Sequence, residues 1–256
     1  MLLTLIVSSL VAGGRGEVRL AANLRAAAEA EAIADGAVHE AIFRLLDPSD
    51  AGWRADRPGN ATAIREVAIA GGRATMRIED HAGLVNPNGV TDALMQALLV
   101  RAGADRRQAA SITAAIADWR SPTTQARPLG AKALNYRGAG LDYTPPDAPF
   151  RSVEELGLVI GMTPALLARL APNMTVFREG DPEGTLAPPL VQEAIHDVSG
   201  PGPFPPPAPE GVRVLTVTAA AAGREGGRFT RRAVVRVGST LAGRAYRILT
   251  WEQVME

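Results

Sequence analysis

The chain has 256 residues, 46% of them apolar and only 4% aromatic, so Ala, Leu and Val must fill one large core or two moderate ones. Basic and acidic side chains balance at 27 each, which leaves no net field to gather nucleic acid or anionic lipid from a distance. Cysteine is absent, which excludes disulfides, thiolate metal sites and cysteine nucleophiles, and Lys132 is the sole lysine.

Residues 1–16 open with a predominantly apolar run that ends at Gly13-Gly14-Arg15-Gly16. The run is shorter than the roughly 20 residues of a membrane-spanning helix. Met1 leads straight into Leu2 without the basic residues of a signal peptide, and each glycine weakens a buried helix by about 1 kcal/mol. Three readings of residues 1–16 stand side by side at this point: a signal peptide, a buried core helix, and a truncated hydrophobic anchor whose beginning lies upstream.

From 17 to 46 the pattern is that of an amphipathic helix, rich in alanine, with Leu20, Leu24, Ala28, Ala32, Ile33, Ala37, Ile42, Leu45 and Leu46 near helical spacing. Pro48 is expected to stop it. Two alternating runs, 64–69 and 74–79, flank Gly71-Gly72 and predict a β-hairpin. Strands resume only at 212–218, 229–237 and 246–251, with turns at 223–227 and around Gly243. Two early strands and three late ones predict one antiparallel sheet on the N-terminal helix, with a helical domain inserted between strands.

The intervening chain reads as short helices with glycine between them. Thr91 caps a helix to about 101 and Asp105 a second to about 119; Ala102-Gly103-Ala104 turns between them. Ser152, with Glu155 as a capping box, starts a third, and Thr163-Pro164 opens a fourth after Gly161-Met162. The two helix, glycine turn, helix units resemble helix-hairpin-helix modules, which elsewhere hold DNA phosphates, and Arg101, Arg106 and Arg107 flank the first turn. That makes a DNA-binding protein the alternative reading. Against it stand Glu154 and Glu155 near the second turn and the neutral chain, since a nucleic-acid binder normally has a basic face. The proline-rich run 199–210 favours an extended connector back to the sheet.

Chemistry is scarce. His39, His81 and His196 fall in separate elements, no serine has a general base beside it in a motif, and the glycine-rich turn 223–227 lacks the Lys and Ser/Thr of a phosphate loop. No enzyme is expected.

Four landmarks stand in order: Asp80-His81-Ala82-Gly83-Leu84-Val85-Asn86-Pro87-Asn88, then Asp118-Trp119-Arg120, then Pro149-Phe150-Arg151-Ser152-Val153-Glu154-Glu155-Leu156, and finally Leu170-Ala171-Pro172-Asn173-Met174. Together, behind the N-terminal helix, they resemble the general secretion pathway protein K family, the large minor pseudopilin of bacterial type II secretion systems. The resemblance implies an α+β fold: a pilin-like N-terminal helix packed on an antiparallel sheet (17–82 and 200–256), with a large all-helical domain inserted at 83–199. It implies a subunit that caps the pseudopilus tip with partners of the I and J families, and that helps to initiate its assembly. It further implies that residues 1–16 are a truncated hydrophobic anchor in the inner membrane, with a periplasmic head, and a leader cleaved by prepilin peptidase if the full start carries one. No nucleic-acid partner follows. Leu20, Leu24 and Ile33 are the residues expected to pack against partner helices.

The family also carries a calcium loop, with the pattern Asp-Trp-Arg-Asp-x-Asp followed by Gly-Ala-Glu. Here Asp118 is retained, but Ser121, Thr123 and Lys132 stand where that pattern has acids. Calcium affinity follows carboxylate number, so no metal or other cofactor is expected, with Lys132 pairing with Asp118 as one way to hold the loop without the ion.

Overall fold

The computed structural model describes residues 2–47, 49, 62–69, 71–206, 211–241 and 244–255. Pro48, the 207–210 end of the proline-rich run and Gly243 lie outside these residues. The contacts divide the chain into two compact units, one of α1 with five strands and the other spanning Asp80–Glu210.

In the first unit, α1 (Leu2–Leu46) is a single helix of 45 residues, about 68 Å long. It starts well before the expected residue 17 and continues through Gly13, Gly14 and Gly16, because a helical glycine costs stability without removing a hydrogen bond. No described helix is long and apolar enough to cross a membrane. The strands β1 (Thr62–Ile69), β2 (Gly72–Asp80), β3 (Arg213–Gly223), β4 (Arg228–Leu241) and β5 (Arg244–Gln253) form one sheet in that order. The pairs β1–β2, β3–β4 and β4–β5 are antiparallel, with Val67 opposite Ala74, Val217 opposite Ala233 and Ala233 opposite Trp251.

Alternation along the strands sends Met76, Ile78, Leu215, Val217, Ala219, Ala233, Val235 and Val237 to the face that meets α1. From the helix come Ile33, Ala34, Ala37, Val38, Ala41 and Ile42, all buried. The alanines let the helix axis approach β3 and β4 closely, and glycine continues that approach at the strand ends. A Cβ on Gly227 would run into the Ala26 carbonyl, and one on Gly72 would lie 2.5 Å from both the Ala222 oxygen and Ile33 Cδ1.

In the second unit, α2 (Asp92–Arg101) and α3 (Arg106–Arg120) form the expected pair. Thr91 Oγ1 accepts from Leu94 N, Asp105 accepts from Arg107 N and Gln108 N, and Gly103 takes φ 109° between them. The expected third helix is only a 3₁₀ segment, Glu154–Leu158, and Ser152 does not cap it. Glu155 instead accepts from Arg151 N, four residues back. After Gly161 (φ 87°), α5 (Pro164–Leu170) begins at the expected cap, Thr163. Two helices were not foreseen, the short α4 (Ala133–Gly138) and α6 (Pro189–Ser199), which two prolines introduce.

Leu94, Leu98, Leu99, Ile112, Ile116, Trp119, Tyr136, Phe150, Leu156, Leu170 and Val191 share one core. Trp119 stacks on Phe150 with ring centres 5.7 Å apart. The Tyr136 hydroxyl accepts from Ile160 N at 3.0 Å, and burial pushes its pKa up to about 12.

The sequence landmarks turn out to be clamps in this unit. Asn88 holds the backbone of Phe150 from both sides, accepting from its N–H at 2.7 Å and donating to its carbonyl at 2.9 Å. Val85 N donates to Asn173 O and Val85 O accepts from Thr175 N, which joins the first landmark to the last as a parallel bridge. Gly83 has no room for a Cβ against the Leu186 carbonyl and Ala187.

Candidate functional site

The apolar periodicity of α1 covers two faces that only the sheet tells apart. Leu20 and Leu24, about one helical turn apart, are 60% and 63% exposed and form an apolar helix surface that nothing in the unit covers; Val18, 70% exposed, lies on another face of the helix. Ile33 corrects the expectation: at 2% exposed it belongs to the unit's own core and is not available to a partner helix. Phe43, 64% exposed, lies further along α1 and was missed. Its spacing gives no sign of exposure, because its neighbours Ala41 and Ile42 are fully buried.

The last turn of α3 and the chain that follows it hold the four residues that stand at the family's calcium-loop positions, Asp118 within the helix and Ser121, Thr123 and Lys132 after it. The Asp118 carboxylate, fully buried, accepts from Arg127 N at 3.0 Å through Oδ2, and a Cβ on Gly130 would collide with that oxygen. Ser121 Oγ and Thr123 Oγ1 bond each other at 2.8 Å. Lys132 Nζ donates to three oxygens: Asp118 O at 2.6 Å, Ser121 O at 2.7 Å and Asp147 Oδ1 at 2.6 Å. Lysine and Asp118 therefore meet, but at the backbone carbonyl. The carboxylate partner of Lys132 is Asp147, a residue held at φ 55° in a loop with no acidic motif to mark it. Among the described residues no three His, Cys, Asp or Glu side chains gather as metal ligands.

The histidines are engaged separately. His39 bonds Asp35 O and lies against Trp251, His81 bonds Thr175 Oγ1 at 2.8 Å, and His196 stacks on Phe204. At the first glycine turn, Arg101 is bound bidentately by Asp197, at 2.6 Å to each oxygen, and by Glu193 at 2.8 Å. That hydrogen bonding raises its pKa and holds the Asp197 carboxyl below the usual range. One of the three arginines of the DNA-binding alternative is thus neutralised within the unit. Arg169, in the last turn of α5, donates to the Ala102 carbonyl of the first turn at 3.0 Å.

Residues 77–179 match the family described as Type II secretion system (T2SS), protein K. No curated protein matches the chain. Among solved structures it is similar to a chain of the GspK-GspI-GspJ complex from the enterotoxigenic Escherichia coli type 2 secretion system. The TM-score is 0.61 at 14% identity, over 95% of this chain and 99% of that one. That likeness is one of fold, along nearly the whole of both chains. The family match spans Val85, Asn88, Asp118, Phe150 and Asn173, the residues that clamp the second unit, so residues 77–179 carry the features of the type II secretion system protein K family.

Proposed function

We infer that this protein is a minor pseudopilin of the type II secretion system, a non-enzymatic subunit that caps the pseudopilus tip and helps start its assembly. The observation that carries the reading is the family match over 77–179, the part of the chain least like a simple helix-and-sheet subunit. In this reading α1 on its sheet is the pilin-like part, and Asp80–Glu210 is a helical domain inserted between β2 and β3. A head enlarged in this way can begin a filament but cannot be stacked upon within one. The I- and J-type minor pseudopilins are the partners, as in the solved complex that shares this fold. The exposed Leu20 and Leu24 supply an apolar helix surface for them. The apolar start of α1 is the membrane-entering end of an inner-membrane anchor, with the head in the periplasm, and prepilin peptidase is a partner if the protein carries a leader.

The test is co-expression of the full chain with the I- and J-type subunits. A ternary complex that survives high salt is expected, because an apolar helix interface is not screened. Failure to co-purify, together with duplex DNA binding that weakens with salt and is lost in Arg106→Ala/Arg107→Ala, would reverse the assignment in favour of DNA.

A further inference from the structure

We propose that the Lys132 ammonium is a tethered cation that takes the place of a bound metal ion and makes the loop after α3 independent of calcium. The calcium implied by resemblance does not fit the donor set. Calcium needs six to eight oxygens, and here the centre of positive charge is already a nitrogen. Its three N–H groups meet three oxygens, Asp118 O, Ser121 O and Asp147 Oδ1, at 2.6, 2.7 and 2.6 Å, so its donor capacity is filled. The remaining oxygens are committed elsewhere. The Asp118 carboxylate takes Arg127 N behind Gly130, and the Ser121 and Thr123 hydroxyls face each other.

The position suits a cation for two physical reasons. The Asp118 and Ser121 carbonyls belong to the C-terminal end of α3, where the helix dipole leaves partial negative charge, and Asp118 O accepts from Lys132 Nζ in addition to Ser121 N at 3.2 Å. The Lys132 side chain is only 8% exposed, and burying its charge is tolerable only with a formal counter-charge, which Asp147 supplies. The ammonium thereby ties together the end of α3, the start of the following loop and the loop that carries Asp147. A free ion would do the same only in proportion to its concentration. A side chain is always present.

The experiment is thermal unfolding of the purified full chain in detergent, first with a chelator and then with millimolar calcium. Neither is expected to move the midpoint. Lys132→Met, which keeps the length of the stem and removes the charge, is expected to lower the midpoint by several degrees, with no recovery in calcium. If that variant fails to fold, Asp147→Asn, which spares both carbonyls, should show a smaller fall. A midpoint that rises in calcium or drops with chelator in the unchanged protein overturns the proposal. So does a Lys132→Met protein, or an Asp147→Asn protein, as stable as its parent.

Discussion

Arg231 Nε donates to Asp35 Oδ1 at 2.7 Å, joining β4 to α1 across 196 residues of chain. The same guanidinium reaches Glu31 Oε1 at 2.7 Å and lies over the rings of Phe229 and Trp251, 4.7 and 5.1 Å from their centres. Its side chain is 8% exposed, whereas the two acids keep 49% and 33% of theirs. The acids can rehydrate if the arginine is lost, which limits the penalty below that of a wholly buried pair. Arg231→Met should cost about 2 kcal/mol, and Arg231→Lys nearly as much because it loses the fork. Chemical denaturation measures both, and a loss within error of zero would mean that the ring contacts and charge pairs add nothing to the helix–sheet joint.

The two faces of α1 should separate cleanly by mutation. Leu20→Asn with Leu24→Asn should leave the unfolding midpoint unchanged, since exposed substitutions stay within about 0.5 kcal/mol, yet abolish co-purification with the I- and J-type subunits. Ile33→Ala should instead cost about 2–4 kcal/mol in stability. Retained assembly in the leucine double variant would remove this surface from the interface.

Close approach of β2 to β3 and α1 depends on the missing side chain of Gly72. Gly72→Ala forces a methyl against the Ala222 carbonyl and Ile33, an overpacking that should cost about 1–3 kcal/mol. Gly89→Ala is the control, because a Cβ there meets nothing within 4 Å. Equal midpoints for the two variants would show that the strand can shift without cost.

The Arg101–Asp197 bridge between α2 and α6 should be visible in the pH dependence of stability. Asp197 has a folded pKa lowered mainly by the hydrogen bonds from Arg101. Its contribution is therefore present above its unfolded pKa of about 3.9 and disappears as pH falls through the lower folded value. The parent should exceed Asp197→Asn in midpoint at neutral pH, and the gap should close in acid below about pH 4. A gap that persists undiminished at low pH would assign the difference to the amide substitution itself.

The sequence alone determined whatever depends on near neighbours in the chain. Thr91, Asp105 and Thr163 cap helices because a side-chain oxygen reaches an N–H two or three residues ahead, and Gly103 and Gly161 turn because a positive φ is a local property. Alternation fixed the existence of all five strands, and the linear order of the landmarks pointed to the same family whose model matches residues 77–179. Tertiary structure decided which apolar residues of α1 face inward, because helical period is the same for a stripe that meets the sheet and one that meets solvent. Ile33 and Leu24 differ only in what lies opposite. It also decided that Ser152 is no cap, since Glu154–Leu158 is too short to continue as an α-helix. The partner of Lys132 was beyond sequence reasoning for the same reason. Asp147 is brought to it by the fold of a loop with no periodicity, and Asp118 presents its carbonyl there because its carboxylate is already held by Arg127.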